Sequence, residues 1–142
     1  MLFKTVAVVL ATLGAGTGLA MQAPRWVRVD RTTALALYVD SFRIEKLPDR
    51  RFGVWTRWEF AKAQPLVDKE FDTMVAKLVI DCPGIRLMQT ESNFYRGDVF
   101  VLHVDIPETE REWTTPTPES INETLIIRSC LVASGQPIVP VP

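Results

Sequence analysis

The chain has 142 residues, of which 47% are apolar and 23% are charged, and its formal net charge is −1. This balance shows no basic excess of the kind that a nucleic-acid partner requires. It also leaves no polybasic segment for an anionic membrane surface. We therefore expect a protein partner, and neither nucleic acid nor a lipid surface.

Residues 1–20 have the order of an export signal. Lys4 gives a short positive start, and Thr5 to Ala20 is uncharged and mostly apolar or small. This stretch is too short to span a bilayer with flanks, and the small residues Gly18 and Ala20 predict cleavage after Ala20. An uncleaved membrane anchor is the alternative, which the glycines of this segment disfavour because they weaken a helix.

Cleavage leaves about 120 residues, enough for one domain with its own core. We place the domain at 24–134, without a membrane span, in the periplasm, secreted, or on the outer surface. Residues 135–142 contain three prolines. Since proline cannot continue a helix or donate a backbone hydrogen bond, we predict a flexible, extended tail there.

Two-residue alternation of apolar and polar residues dominates the domain. Trp55 and Trp58 have opposite parity, which predicts that they lie on opposite faces of a sheet. Short connections such as Pro83-Gly84 and the segment Asn93 to Asp98 predict antiparallel hairpins. We expect a six-stranded antiparallel meander with these strands: Trp26 to Asp30, Leu35 to Asp40, Phe52 to Phe60, Met74 to Cys82, Ile85 to Glu91 and Val99 to Asp105.

One C-terminal helix follows the predicted strands. Its start is ambiguous, because Thr117-Pro118 and the capping box Ser120 to Glu123 each satisfy the requirements of a helix N-terminus. Ile121 and Leu125 share one side of the helix, and Ile126, Ile127 and Cys130 wrap around another. We expect this helix to lie across the sheet and to be partly covered on a second side, in an α+β domain that is mainly β.

Cys82 and Cys130 are the only cysteines in the chain. Behind an export signal, an even and minimal cysteine count predicts one disulfide. Cys82 shares its parity with Leu78 and Ile80, so a helix docked on that face would bring Cys130 to it. The alternative is a metal or catalytic site, for which the spacing of the two cysteines and the lone His103 is unsuited.

The order and spacing of these segments resemble the bacterial surface-adhesin protein E family over nearly all of the mature chain. The residues that carry the resemblance are Trp26-Val27-Arg28-Val29-Asp30, Leu37-Tyr38-Val39-Asp40-Ser41, Val54-Trp55-Thr56-Arg57-Trp58-Glu59-Phe60, Ile80-Asp81-Cys82, Glu112-Trp113, and the stretch from Pro118-Glu119-Ser120 to Cys130.

The resemblance implies an exported antiparallel sheet with a C-terminal helix tethered by a disulfide. The founding member of the family is a lipid-anchored adhesin that binds host matrix proteins and haem. The present chain departs from it, because no lipid-attachment cysteine stands near the cleavage region. The resemblance therefore transfers the fold more directly than the adhesin function.

Four residues are candidates for partner binding. Arg96 and Asp98 flank a glycine in a predicted hairpin turn, where an integrin-binding loop would present them, although Gly and Asp also suit any tight turn. Trp55 and Trp58 are the aromatic candidates, one of which is expected on the open face of the sheet. The four tryptophans as a groove, with His103 as an axial ligand, would make a haem site, but we assign no cofactor.

No nucleophile elbow or glycine-rich phosphate loop accompanies the serines, the histidine or the acids. We therefore predict an exported, non-enzymatic binding module that recognises an envelope or host protein through its sheet. The alternatives are a periplasmic structural or assembly protein, self-associated as a homodimer through its sheet, and a weak haem binder.

Overall fold

A computed structural model describes residues 25–136 as one antiparallel sheet of six strands, in sequential order, followed by a single α-helix. This architecture confirms the fold class expected from the alternation pattern. The predicted export signal 1–20 and residues 137–142 of the predicted tail lie outside the described residues. The elements are β1 (Trp26–Arg31), β2 (Leu35–Leu47), β3 (Arg51–Leu66), β4 (Lys69–Asp81), β5 (Arg86–Arg96), β6 (Val99–Asp105), a 3-10 turn (Glu108–Glu110) and α1 (Ile121–Ala133).

Several strands extend beyond their predicted ends. β2 continues past Asp40, and β3 and β4 meet at a hairpin well beyond Phe60, since irregularities in the pairing interrupt the strict alternation that marks a strand in sequence. Ile85 was predicted as the start of a strand, which is wrong: it is an exposed turn residue with a φ of 47°. The predicted turn from Asn93 is also wrong, because β5 runs through Arg96 and only Gly97 and Asp98 form the turn.

The core lies between one face of the sheet and α1. Alternate residues of β4, namely Ala76, Leu78 and Ile80, are at most 3% exposed, and Leu125 and Ile126 of α1 cover that side. We call this side of the sheet the helix face and the opposite side the open face. Partly buried Trp58 packs against the core from the helix face.

The two ends of α1 show conventional capping. Ser120 is the N-cap, and its hydroxyl accepts a hydrogen bond from the backbone N–H of Glu123, so the helix begins at Ile121 and the alternative start at Thr117-Pro118 is wrong. At the other end, Gly135 has a φ of 76°, and its N–H donates to the carbonyl of Val132. Gly135 and its neighbour Gln136 therefore terminate the helix and do not form part of an extended tail.

The outer side of α1 departs from the expectation of a second covered side. Ile127 is 49% exposed and Leu131 is 37% exposed, four residues apart on the helix surface. Only Leu125, Ile126 and Ser129 of the helix are buried. The helix is therefore packed on the sheet alone within the described residues.

The predicted disulfide joins Cys82, the residue after β4, to Cys130 of α1 and is thus confirmed. Both cysteines are partly buried against the core cluster. The bond closes a loop with a sequence separation of 48, which spans β5, β6 and the segment leading to α1. It therefore links the end of a central strand to the helix that covers it.

We expect replacement of both Cys82 and Cys130 by Ala to lower the free energy of unfolding by about 4 kcal/mol, the entropy of closing a loop of this length in the unfolded chain. Urea denaturation of the oxidised protein and of the double variant measures this difference. Peptide mapping of the non-reduced protein should show the two cysteines linked, and two freely alkylated thiols would contradict the bond.

Candidate protein-binding site

Trp55 and Trp58 of β3 project to opposite sides of the sheet. On the helix face, the indole N–H of Trp58 donates to Thr56 Oγ1 at 3.1 Å, and the Thr56 hydroxyl donates to the carbonyl of Ala76 at 3.1 Å. This chain of hydrogen bonds fixes the orientation of Trp58 beside the core. Trp58 is therefore a packing residue, and Trp55 is the member of the pair that the open face presents.

The environment of Trp55 is aromatic and cationic. The guanidinium of Arg43 lies 4.8 Å from the centroid of the Trp55 ring, a cation–π contact. Beside the ring is a shallow depression of about 190 Å³, lined also by Glu45 and Lys77. Gly53 lies opposite Glu45, and a Cβ atom there would come within 3.2 Å of Glu45 Oε2, so glycine keeps this depression open.

Arg43 belongs to a bulge of β2 that the sequence did not predict. Val39 pairs with Thr56 and Ile44 pairs with Val54, so residues 40–43 of β2 face a single residue of β3. Bulges of this kind redirect side chains out of the regular pleat. One consequence is that Phe42 is 63% exposed at the surface.

The bulge is held by a buried carboxylate. Asp40 is fully buried, and it accepts hydrogen bonds from Arg25 Nε at 2.9 Å, from Arg43 Nε at 2.8 Å and from the backbone N–H of Phe42 at 3.0 Å. Burial alone would raise the pKa of Asp40, but the bonds from Arg43, Arg25 and Phe42 outweigh it and hold the pKa below its usual value. The charged carboxylate therefore sets the position of Arg43 over Trp55.

The open face near Trp55 also carries polar groups, beside Val75 and Val79 of β4. Tyr38 of β2 lies directly opposite Arg57 of β3, and Arg57 forms an ion pair with Glu59 at 2.8 Å. Burial raises the pKa of Tyr38, and the nearby Glu59 carboxylate raises it further. The tyrosine hydroxyl is thus a hydrogen-bond donor at neutral pH.

Arg96 and Asp98 lie apart from Trp55, at the β5–β6 hairpin. Arg96 Nη1 is 2.6 Å from Asp72 Oδ2, and the backbone N–H of Gly97 donates to the same carboxylate at 3.0 Å. The bond from Gly97 is the main reason that the pKa of Asp72 is lowered. Arg96 is consequently held against β4, which differs from the solvated arginine expected beside a simple turn.

The four tryptophans do not form one groove. Trp113, in the segment before α1, has its ring 5.0 Å from the Arg51 guanidinium and 4.5 Å from that of Arg86. Trp26 contacts Arg25 at 5.7 Å, while Trp55 and Trp58 are on opposite faces. His103 is exposed, and its Nδ1 lies 2.8 Å from Asn93 Oδ1.

A cavity of about 450 Å³ on the helix face was also not predicted from the sequence. Its floor is apolar and includes Trp58, Met74 and Leu87, and its rim carries Arg111 and Asn122. The cavity forms where the segment after β6 crosses back to pair with β5, through the bridge between Thr114 and Leu87. A contact between residues so distant in sequence leaves no local signal.

The residues that the sequence prediction missed are Arg25, Phe42 and Arg43. The signal for them was the polar interruption from Asp40 to Arg43, which separates two stretches of alternation and is typical of a bulge inside one long strand. Of the predicted candidates, only Trp55 lies near these residues. Within 25–136, no helix has the length and apolar character needed to cross a bilayer.

Comparison with known proteins identifies a family and a fold. The sequence model of the family described as Surface-adhesin protein E matches residues 26–131. Among solved structures, crystal form II of Haemophilus influenzae protein E is similar with a TM-score of 0.56 at 13% identity, covering 81% of this chain and 93% of that chain. Protein E from non-typeable Haemophilus influenzae gives a TM-score of 0.53 at 15% identity, with 78% and 79% covered. No curated protein matches the chain.

We expect Asp40→Asn to lower the free energy of unfolding at pH 7 by about 2–3 kcal/mol, because hydrogen bonds to a charged group are lost. A carboxyl group whose pKa is lowered in the folded state stabilises the fold above its unfolded pKa, and this contribution disappears as the pH falls. The difference between wild type and variant should therefore shrink below about pH 4. Urea denaturation between pH 3 and 7, with Asp68→Asn in an exposed turn as the control, measures it; a difference independent of pH would contradict the prediction.

We expect haemin to show no saturable binding, because the tryptophans are dispersed and His103 is exposed on β6, outside the cavity that Trp58 lines. Titration of haemin into the purified protein, followed at the Soret band, measures this. A saturable one-to-one complex that His103→Ala weakens would show that a haem site exists.

Proposed function

The chain belongs to the surface-adhesin protein E family, and on that premise we propose that it is an exported, non-enzymatic module that binds another protein through the open face of its sheet. The partner belongs to the cell envelope or to the extracellular surroundings. The location we propose is the periplasm or the outer surface. The observation that carries the proposal is the cluster of Trp55 and Arg43 on the open face, next to a bulge whose Phe42 is 63% exposed.

The composition of this cluster supports protein recognition. Tryptophan, tyrosine and arginine are the residues that most often dominate the energy of protein interfaces. The open face presents Trp55 beneath Arg43, with Tyr38 and Arg57 beside them. Trp55 is partly exposed and is not among the residues that pack against the core cluster, whereas Trp58 on the helix face is.

The rigidity of the cluster supports the same conclusion. Asp40 fixes the bulge through bonds to Arg25, Arg43 and the backbone of Phe42. Phe42 is thereby exposed on a backbone that is already ordered before any partner binds. Such preorganisation raises affinity because less conformational entropy is lost on association.

Two further observations favour binding over catalysis. Both cysteines are joined in the disulfide, so neither is a free thiol nucleophile. Glu108 and Glu110 are neighbouring carboxylates that could be considered as a catalytic acid and base. Both lie exposed in the 3-10 turn. Neither observation assigns a reaction to the domain, and both leave the sheet surface as the functional feature.

A matched pair of tryptophan replacements tests the proposal. Trp58→Ala removes a packed side chain and should cost about 3 kcal/mol of stability. Trp55→Ala removes only the contact with Arg43 and its partly exposed neighbours, and should cost at most about 1 kcal/mol. Thermal denaturation of the two variants measures the difference in stability.

Binding is then measured on the stable variant. The wild-type domain is cross-linked to proteins from bacterial envelope fractions and to purified host matrix proteins. The captured proteins should be lost with Trp55→Ala and with Phe42→Ala. They should be retained with the control Val67→Ala, at an exposed hairpin tip. If both tryptophan variants unfold alike, Trp55 is a core residue and the open face is not a binding surface. If a stable Trp55→Ala variant retains every partner, the open face is likewise not a binding surface.

A further inference from the structure

β6 is the last strand of the sheet, and within residues 25–136 no strand pairs with its outer edge. Val99 is 68% exposed and Phe100 is 55% exposed. The strand contains no lysine, arginine or proline, residues by which natural proteins commonly block an exposed edge. A bulge at Val101 interrupts the pairing with β5, so Leu102 to Asp105 form the regular part of this edge.

Asp105 is the exposed charged group at the end of this edge. It lies directly opposite Glu91 of β5, whose neighbour on the other side is Lys77 of β4. Asp105 forms a long ion pair with Arg111, whose Nη2 is 3.9 Å from the carboxylate. Asp105 is 68% exposed, so its carboxylate is accessible to a basic group approaching from the open side.

The side chains of β6 alternate between the two faces of the sheet. Leu102 pairs with Phe94 and Val104 pairs with Ser92, both on the helix face, while His103 and Asp105 project to the open face. A strand added beside Leu102 to Asp105 would therefore contact apolar and polar positions in turn.

We propose that the outer edge of β6 accepts an extended segment of a partner protein as an additional antiparallel strand. The segment carries a basic residue beside Asp105 and apolar residues beside Val104 and Leu102. Main-chain hydrogen bonds supply the pairing, and the charge of Asp105 supplies the specificity. This inference rests on the proposal that the domain binds proteins, and it names a separate surface for doing so.

A second copy of the chain fits this edge less well. A two-fold pairing centred on Val104 would place His103 opposite Asp105 of the other copy, and one centred on Leu102 would place Val99 there. β6 contains no lysine or arginine, so no register of β6 against itself gives Asp105 such a basic partner. An unrelated segment can carry that basic residue.

Two probe peptides test the proposal with the intact protein. The first is Thr-Lys-Val-Thr-Val-Thr, in which the lysine lies beside Asp105 in the antiparallel register, and the second has glutamate in place of lysine. Fluorescence anisotropy should show that the lysine peptide binds about three- to tenfold more tightly than its twin, the range expected for exchanging attraction for repulsion across a strand pair. Asp105→Lys should reverse this preference, and Asp68→Lys in the β3–β4 turn should leave it unchanged.

Three outcomes would overturn the inference: equal affinity for the two peptides, unchanged binding of a lysine peptide whose edge-facing amides are methylated, or a dimer in sedimentation velocity that Val104→Lys dissociates. The last would identify a second copy as the occupant. Trp55→Ala should leave peptide affinity unchanged. Retention of every captured partner by Trp55→Ala, with intact peptide binding, would therefore count against the open-face function alone. If neither peptide binds but Trp55→Ala still abolishes partner capture, the result would count against the β6 edge alone.

Discussion

The packing of α1 on one face of the sheet, held by the bond between Cys82 and Cys130, is the constraint on which the rest of the structure depends. A helix of 13 residues is about 20 Å long, so it can cover part of one face of a six-stranded sheet and none of the other. Leu125 and Ile126 pack on the helix face, where the buried apolar residues of β1 to β4 form the core. The open face carries Val75 and Val79 among charged and aromatic side chains.

This asymmetry explains why the charged network lies where it does. Asp40 is fully buried yet remains ionised, since Arg25, Arg43 and a backbone N–H satisfy it in place of water. Removing any one of these donors would leave the buried charge with only two of these three partners, which costs stability. The bulge at residues 40–43 is therefore maintained by electrostatics, and its exposed residue Phe42 is a consequence of that arrangement.

A parallel arrangement lies at the end of β4. Asp81 is buried there and is bonded to Arg86 Nε at 2.8 Å, which is the main reason its pKa is lowered. A side chain at Gly84 would collide with it, because a Cβ atom there would lie 2.8 Å from Asp81 Oδ2. Arg86 in turn contacts the ring of Trp113, which connects the segment before α1 to the sheet. Carboxylate–arginine–tryptophan contacts thus recur at two places in the domain.

The features that could be predicted from sequence are those with a local cause. The parity of Leu78, Ile80 and Cys82 placed the disulfide on the core side, and the capping box at Ser120 was one of two predicted helix starts. The lengths of β2, β3 and β4 could not be predicted, because the irregular pairings in them replace alternation by a pattern typical of loops. Arg25 and Arg43 were missed for a related reason, since their shared partner Asp40 lies 15 residues from Arg25 in sequence.

The sequence by itself therefore determined the six-stranded meander, the single helix, the disulfide and the family, all of which follow from periodicity, cysteine count and the order of short motifs. The tertiary structure alone decided which tryptophan packs against the core, that Arg96 is paired with Asp72, and that no strand within residues 25–136 pairs with the outer edge of β6. The physical reason is that the exposure of a side chain depends on what packs against it. Strand parity places Trp55 and Trp58 on opposite faces, but only the docking of α1 assigns one of those faces to the core. Which face a single helix covers is settled by contacts between residues far apart in the chain.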